Sequence, residues 1–244
     1  MTKQSSDLWI DEVEKAIESF AKKYQMTYAR KERELSASFE IGCLHALTDF
    51  YEKSCSLQPR NLKDGTYRYL TTPNGNPDNF SHVEATVGNE FFEIRQQVRV
   101  RSHLNPDVAF TPDMVVVRKG ANIVGHHDPD YASGKRKFFC VNSADVIAAH
   151  ECKSTNPFPE LLISFVGMLI AAHDWLAGPT DRSHIIGNGN HLAPTLFVGG
   201  TASGVHQRMV RAMEASMPIN IVLGLHRGTW NLLDPAMKRN RINI

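Results

Sequence analysis

The sequence predicts an α/β fold in which helices cover a central mixed sheet. Segments with apolar residues three and four places apart alternate along the chain with short runs rich in β-branched residues. Their coarse order is helix, three strands, helix, strand, helix, strand, which suits a layered arrangement. At 244 residues the chain can bury a substantial core as one domain.

The opening "DLWIDEVEKAIESFAKKYQMTYARKERELSASFEIGCLHALTDFYEK" has helical periodicity. A break is expected at Ser36 to Ser38, where a serine can cap the next helix. That helix is expected from Ala37 to Lys53, with Leu44, Leu47 and Tyr51 among its apolar positions and Glu40 near its start. From 54 to 89, Pro, Gly and Asn turns around "TYRYL" and "FSHVEATV" indicate short strands or a hairpin inserted after the helix. "FFEIRQQVRVR" alternates as a half-buried strand, with Phe92, Ile94, Gln96, Val98 and Val100 on one face and Glu93, Arg95, Gln97, Arg99 and Arg101 on the other.

A second strand, "DMVVVRK", begins at Asp113. A polar insertion near 119–137 precedes "FFCVNSADVIAAHECK", the third stretch of strand character. "STNPFP" leads into a long apolar helix from about Glu160 to Leu176. "PTLFVGG" and "INIVLGLH" read as later strands, separated by the helical "SGVHQRMVRAMEASM". Residues 1–244 thus read as a single domain with an N-terminal helical extension and two insertions.

A net charge of +1 excludes a general polycation but leaves basic clusters at Arg95, Arg99 and Arg101, at Lys135, Arg136 and Lys137, and at Lys238, Arg239 and Arg241. The first two clusters are candidate contacts to a nucleic-acid backbone, because arginine and lysine bind phosphate without base-specific geometry. The four cysteines form no CxxC pair. With no secretion-like N-terminus and no apolar run near transmembrane length, a cytoplasmic protein with no membrane partner is expected. There is no phosphate loop and no dinucleotide fingerprint. "VGGTASG" reads as a tight strand-to-helix connection, Met209, Met213 and Met217 as a packing stripe, and the phenylalanines at 91, 92, 138 and 139 as core.

The chemistry centres on "AAHECKST". In a strand Glu151 and Lys153 project to one side while Cys152 projects to the other, where it can pack beneath the long helix. Asp113 stands at the mouth of "MVVV"; if the two strands are adjacent, two carboxylates and an ammonium converge. A divalent cation relieves the carboxylate repulsion, and oxygen ligands suit Mg²⁺, with Mn²⁺ as the alternative. Such an ion acidifies a bound water, and Lys153 can orient that water and stabilise charge on a phosphate. Asp107, in a second Pro-Asp pair, competes with Asp113, which is preferred for its stronger following strand. His150 alternates away from Glu151 and reads as packed. His82 and Glu84 share a strand face without a third ligand, and "GHHDPD" reads as a solvated loop.

The order "TPDMVVV" then "ECK", between strand-like runs and followed by a long helix, resembles the PD-(D/E)xK nuclease superfamily, with its restriction-endonuclease-like fold. The resemblance implies that Asp113 is the first metal-binding acid, Glu151 the second and Lys153 the catalytic lysine. It also implies a glutamate on the preceding helix that assists the metal, for which Glu40 is the candidate ahead of Glu34 and Glu52. The implied activity is Mg²⁺-dependent endonucleolytic hydrolysis of DNA, by default duplex, leaving a 5′-phosphate and a 3′-hydroxyl, as in a type II restriction enzyme. A homodimer is the economical way for one constellation to cut both strands. Two other readings stand beside it: a structure-selective repair or recombination nuclease, and a noncatalytic nucleic-acid-binding or assembly protein.

Overall fold

The structure, a computed structural model, describes residues 8–29, 35–72, 76–127, 137–172, 189–228, 230 and 239–243. Helix α1 (Leu8–Lys23) buries Trp9, Val13, Ile17 and Phe20 on one stripe and leaves its acids outside. Helix α2 (Leu35–Glu52) is buried along most of its length between α1 and the sheet. At Gly42 the two helices approach so closely that a Cβ would lie 2.5 Å from Val13 Cγ2 and 3.0 Å from Trp230 Cη2.

Seven strands build the main sheet: β1 (Ser56–Arg60), β2 (His82–Val87), β3 (Glu90–Gln96), β4 (Met114–Arg118), β5 (Val146–Lys153), β6 (Thr195–Val198) and β7 (Asn220–Val222). They lie side by side in chain order. The first five run antiparallel to their neighbours, whereas β6 and β7 join parallel to β5. Parallel neighbours need crossovers. Helix α3 (Pro159–Ala172) lies between β5 and β6 in sequence, and α4 (Gly204–Ser216) between β6 and β7. Residues 173–176 of the expected long helix lie outside the described residues.

The buried side chains form two clusters, and β4 feeds both because its side chains alternate. Met114 and Val116 join Phe92, Ile94, Ala148 and Phe197 with α1 and α2, while Val115 and Val117 join Ala149, Leu196 and Val198 with Leu162, Phe165 and Leu169 of α3. Met209, Met213 and Met217 pack against the second cluster, as their spacing suggests.

Several expectations are corrected. "FFEIRQQVRVR" is not one strand: β3 stops at Gln96, Gln97 takes a left-handed backbone (φ 53°), and Arg99–Arg101 enters a second, four-stranded sheet with Ala109–Phe110, Val124–His127 and Lys137–Asn142. Phe92 and Ile94 therefore pack with α1 and α2, but Val98 and Val100 pack with α3. "FFCVNSADVIAAHECK" likewise divides, with a 3₁₀ turn at Ser143–Asp145 separating the second sheet from β5. "FSHVEATV" supplies β2 of the main sheet. Cys152 belongs to the cluster built on α1 and α2, against Cys43, and not beneath α3. Phe91 is exposed, with the Lys119 ammonium 5.3 Å from its ring centre.

The connection after β6 is as tight as its glycines suggest. The N–H groups of Gly199 and Gly200 donate to the carbonyls of Lys153 and Thr155, both at 2.9 Å, and a Cβ on either glycine would collide with His226 or Asn156. Ser203 caps α4 by accepting from the His206 N–H. Among the described residues no helix is long and apolar enough to cross a membrane.

Candidate metal and active site

β4 begins where β5 ends. His150 pairs with Met114, so Glu151 and Asp113 occupy the next facing positions; Gln96 also pairs with Met114, which brings Gln97 to the other side of Asp113. Three neighbouring strands thus deliver one residue each to the same spot.

The side chains close on one another there. Lys153 Nζ lies 2.8 Å from Glu151 Oε2 and 3.4 Å from Asp113 Oδ2. The N–H of Cys152 donates to Asp113 Oδ2 at 2.7 Å. Gln97 Nε2 donates to Asp113 Oδ1 at 3.0 Å and to Glu40 Oε2 at 3.1 Å, reaching across to α2. Glu40, Asp113, Glu151 and Lys153 are therefore brought together, with Gln97 as a fifth member. Asp107 is an exposed turn acid whose own N–H donates to Asn105 Oδ1 at 2.9 Å, and it makes no part of this network. His150 is fully buried beside Phe197.

Burial, and next the charge of Asp113, push the Glu151 carboxyl up to about 8 against the pull of Lys153. Burial opposes the charge on Lys153, but Asp113 and Glu151 outweigh it and hold the ammonium protonated well above its ordinary range. Near neutral pH, without a cation, the pocket therefore keeps the lysine charged and a proton on Glu151. Asp113 and Glu151 offer carboxylate oxygens on facing strand positions, donors of the kind a hard divalent cation takes.

A second cluster was half visible in the sequence. His82, Glu84 and Glu93 each place a ligand atom within 4.8 Å of the others, a donor set that can coordinate a metal ion. The third ligand missing from the sequence reading is Glu93, which lies directly opposite Glu84 across the β2–β3 hairpin. Counting outward from the "VGNE" turn would have found it. Burial, then Arg95, pushes His82 down to about 4, so the imidazole is neutral. Its carboxylates are already matched by cations: Arg60 at 2.6 Å and Lys119 at 3.3 Å from Glu84, and Arg95 at 2.6 Å from Glu93.

The basic candidates do not form one face. Arg95 is paired with Glu93 on the main sheet, whereas Arg99 stacks 3.7 Å from the Phe138 ring centre and Arg101 pairs with Asn142 in the second sheet. Lys137 stands over Phe139; Lys135 and Arg136, like Asp128, Asp130, His173, Glu34 and Lys238, lie outside the described residues. A cleft of about 440 Å³ lined by Phe91, Arg118, Lys119 and His191 sits at the opposite end of β4 from Asp113.

No family model, curated protein or solved structure matches the chain. Fold and clusters together define an α/β protein with a helix-flanked mixed sheet that carries groups suited to metal coordination.

Proposed function

We propose that the protein is a Mg²⁺-dependent DNA endonuclease of the PD-(D/E)xK type, with Mn²⁺ as the alternative ion. The observation that carries this reading is the contact of Lys153 Nζ with both Asp113 and Glu151 across neighbouring strands. Asp113 and Glu151 would hold the ion, with Glu40 completing its surroundings. The bound ion supplies Lewis acidity toward the phosphoryl oxygen and a more acidic water. Lys153, partly exposed, orients that water and counters charge growing on the phosphate. The Cys152 N–H fixes the Asp113 carboxylate.

The Asp113 pocket is preferred over the His82 cluster because Arg60, Arg95 and Lys119 already compensate Glu84 and Glu93. Duplex DNA is the proposed substrate, a cytoplasmic restriction role the proposed setting, and a homodimer the proposed arrangement for cutting both strands. Arg101 and Lys137 are the described basic residues proposed to meet the DNA backbone, with Lys135 and Arg136 directly preceding Lys137 in the chain.

The test is cleavage of linear duplex, branched and single-stranded DNA with Mg²⁺, wild type beside Lys153→Ala. A loss of about a hundredfold or more is expected for the variant. Equal cleavage would remove the lysine role. Preference for the branched substrate would favour the repair or recombination reading, and binding without any scission would favour the noncatalytic one.

A further inference from the structure

Gln97 is the buried residue of the site that the acid-and-lysine motif does not account for. Its left-handed backbone is held by a 3.0 Å bond from its N–H to the Asp113 carbonyl, and its side-chain NH₂ donates to the acids. An amide nitrogen carries two hydrogens. Here one is directed to Asp113 Oδ1 and the other to Glu40 Oε2, at 3.0 and 3.1 Å. Whereas the Lys153 ammonium that bridges Asp113 and Glu151 is carried by a side chain 40% exposed, free to swing aside for an ion, a neutral NH₂ on a buried side chain bridges Glu40 and Asp113. An ion joining the same oxygens would need them about 2.0–2.1 Å from its centre, and could not share that space with the amide nitrogen.

We infer that Gln97 is a positioning residue that sets the metal stoichiometry: it fills the Glu40–Asp113 gap with a neutral donor and restricts the pocket to one divalent ion, shared by Asp113 and Glu151. This inference rests on the proposed metal site. Glu40 then supports Asp113 through the amide and does not ligate directly. That refines the role suggested for it by the sequence.

The experiment counts Mn²⁺ per chain by calorimetry and by electron paramagnetic resonance, in a Glu84→Gln background that removes the His82 cluster from the count. Gln97→Glu replaces the donor with a ligand; Gln97→Gly removes it while suiting the positive φ, so that a folding defect in one variant does not decide the matter. Expected are one ion in the parent and two in each variant, with the spin–spin coupling of a close Mn²⁺ pair. Two coupled ions in the parent, or one ion in both folded variants, would overturn the inference while leaving the metal site intact. No ion in the parent, or one that survives Asp113→Asn, would overturn the metal site and the inference with it.

Discussion

The N–H of Cys152, the residue between Glu151 and Lys153, donates a 2.7 Å hydrogen bond to Asp113 Oδ2. The acid of one strand is thus tied to the backbone of the motif on the next, by a donor that only proline at position 152 would remove. Asp113→Asn keeps an acceptor for this amide but loses the charge that helps raise Glu151. The variant should lose Mg²⁺-dependent cleavage and show Glu151 titrating below its wild-type value by NMR. Its thermal midpoint should fall, because both Asp113 oxygens accept hydrogen bonds and the new NH₂ must face one of the donors.

Metal uptake should be linked to the Glu151 proton. Because that carboxyl is raised to about 8, binding at pH 7 should release close to one proton, and the apparent affinity should rise about tenfold per pH unit before flattening above 8. Calorimetry in buffers of different ionisation enthalpy reads the proton directly. The stability sign follows from the same shift: the folded value lies above the ordinary 4.5, so the contribution of Glu151 is fully present below 4.5 and lost as pH rises through 8. Without metal, Glu151→Gln should therefore unfold at a higher temperature than wild type at pH 9, with little difference at pH 4.

His45 should govern part of the acid response. It is buried, its Nε2 lies 2.8 Å from the Tyr69 hydroxyl, and burial pushes it down to about 3. The unfolded chain takes up this proton below about 6.5, so the stabilisation is present above 6.5 and declines at up to about 1.4 kcal/mol per unit as pH falls toward 3. Replacing His45 with Phe should flatten that stretch of the stability–pH curve measured by denaturant titration.

Gly42→Ala tests how α2 is placed. The new methyl would meet Val13 and Trp230 inside contact distance, two residues from Glu40. A loss of about 1–3 kcal/mol in urea unfolding is expected. If α2 shifts to relieve the contact, cleavage should fall as well.

The two clusters should separate functionally. Glu84→Gln should leave Mg²⁺-dependent cleavage within about twofold of wild type, because Glu84 is engaged by Arg60 and Lys119. A collapse of activity in this variant would move the catalytic assignment to the His82 cluster.

Strand period made Asp113, Glu151 and Lys153 legible, since alternate side chains share a face and "MVVV" marks a buried strand. The meeting of the two strands is now explained by their antiparallel pairing despite the long connection between them. The parity of Cys152 was readable, but its partner helix was not, because α2 and α3 are both strongly apolar. Gln97 was hidden for a different reason. The alternation of apolar residues continues through Val98 and Val100, so nothing local marks the bend, which hydrogen bonds to distant Asp113 and Glu40 hold in place.

The bend at Gln97 leaves a signature that a mutational scan can read. Charged substitutions at Phe92 and Ile94 would injure the core shared with α1 and α2, while the same changes at Val98 and Val100 would injure the core under α3. Compensating changes should accordingly map to different helices on either side of residue 97. Sensitivity keeps a beat of two on either side of Gln97, itself buried, while the rescue partners change sides there, so a single left-handed residue acts as the commutator between the protein's two interiors.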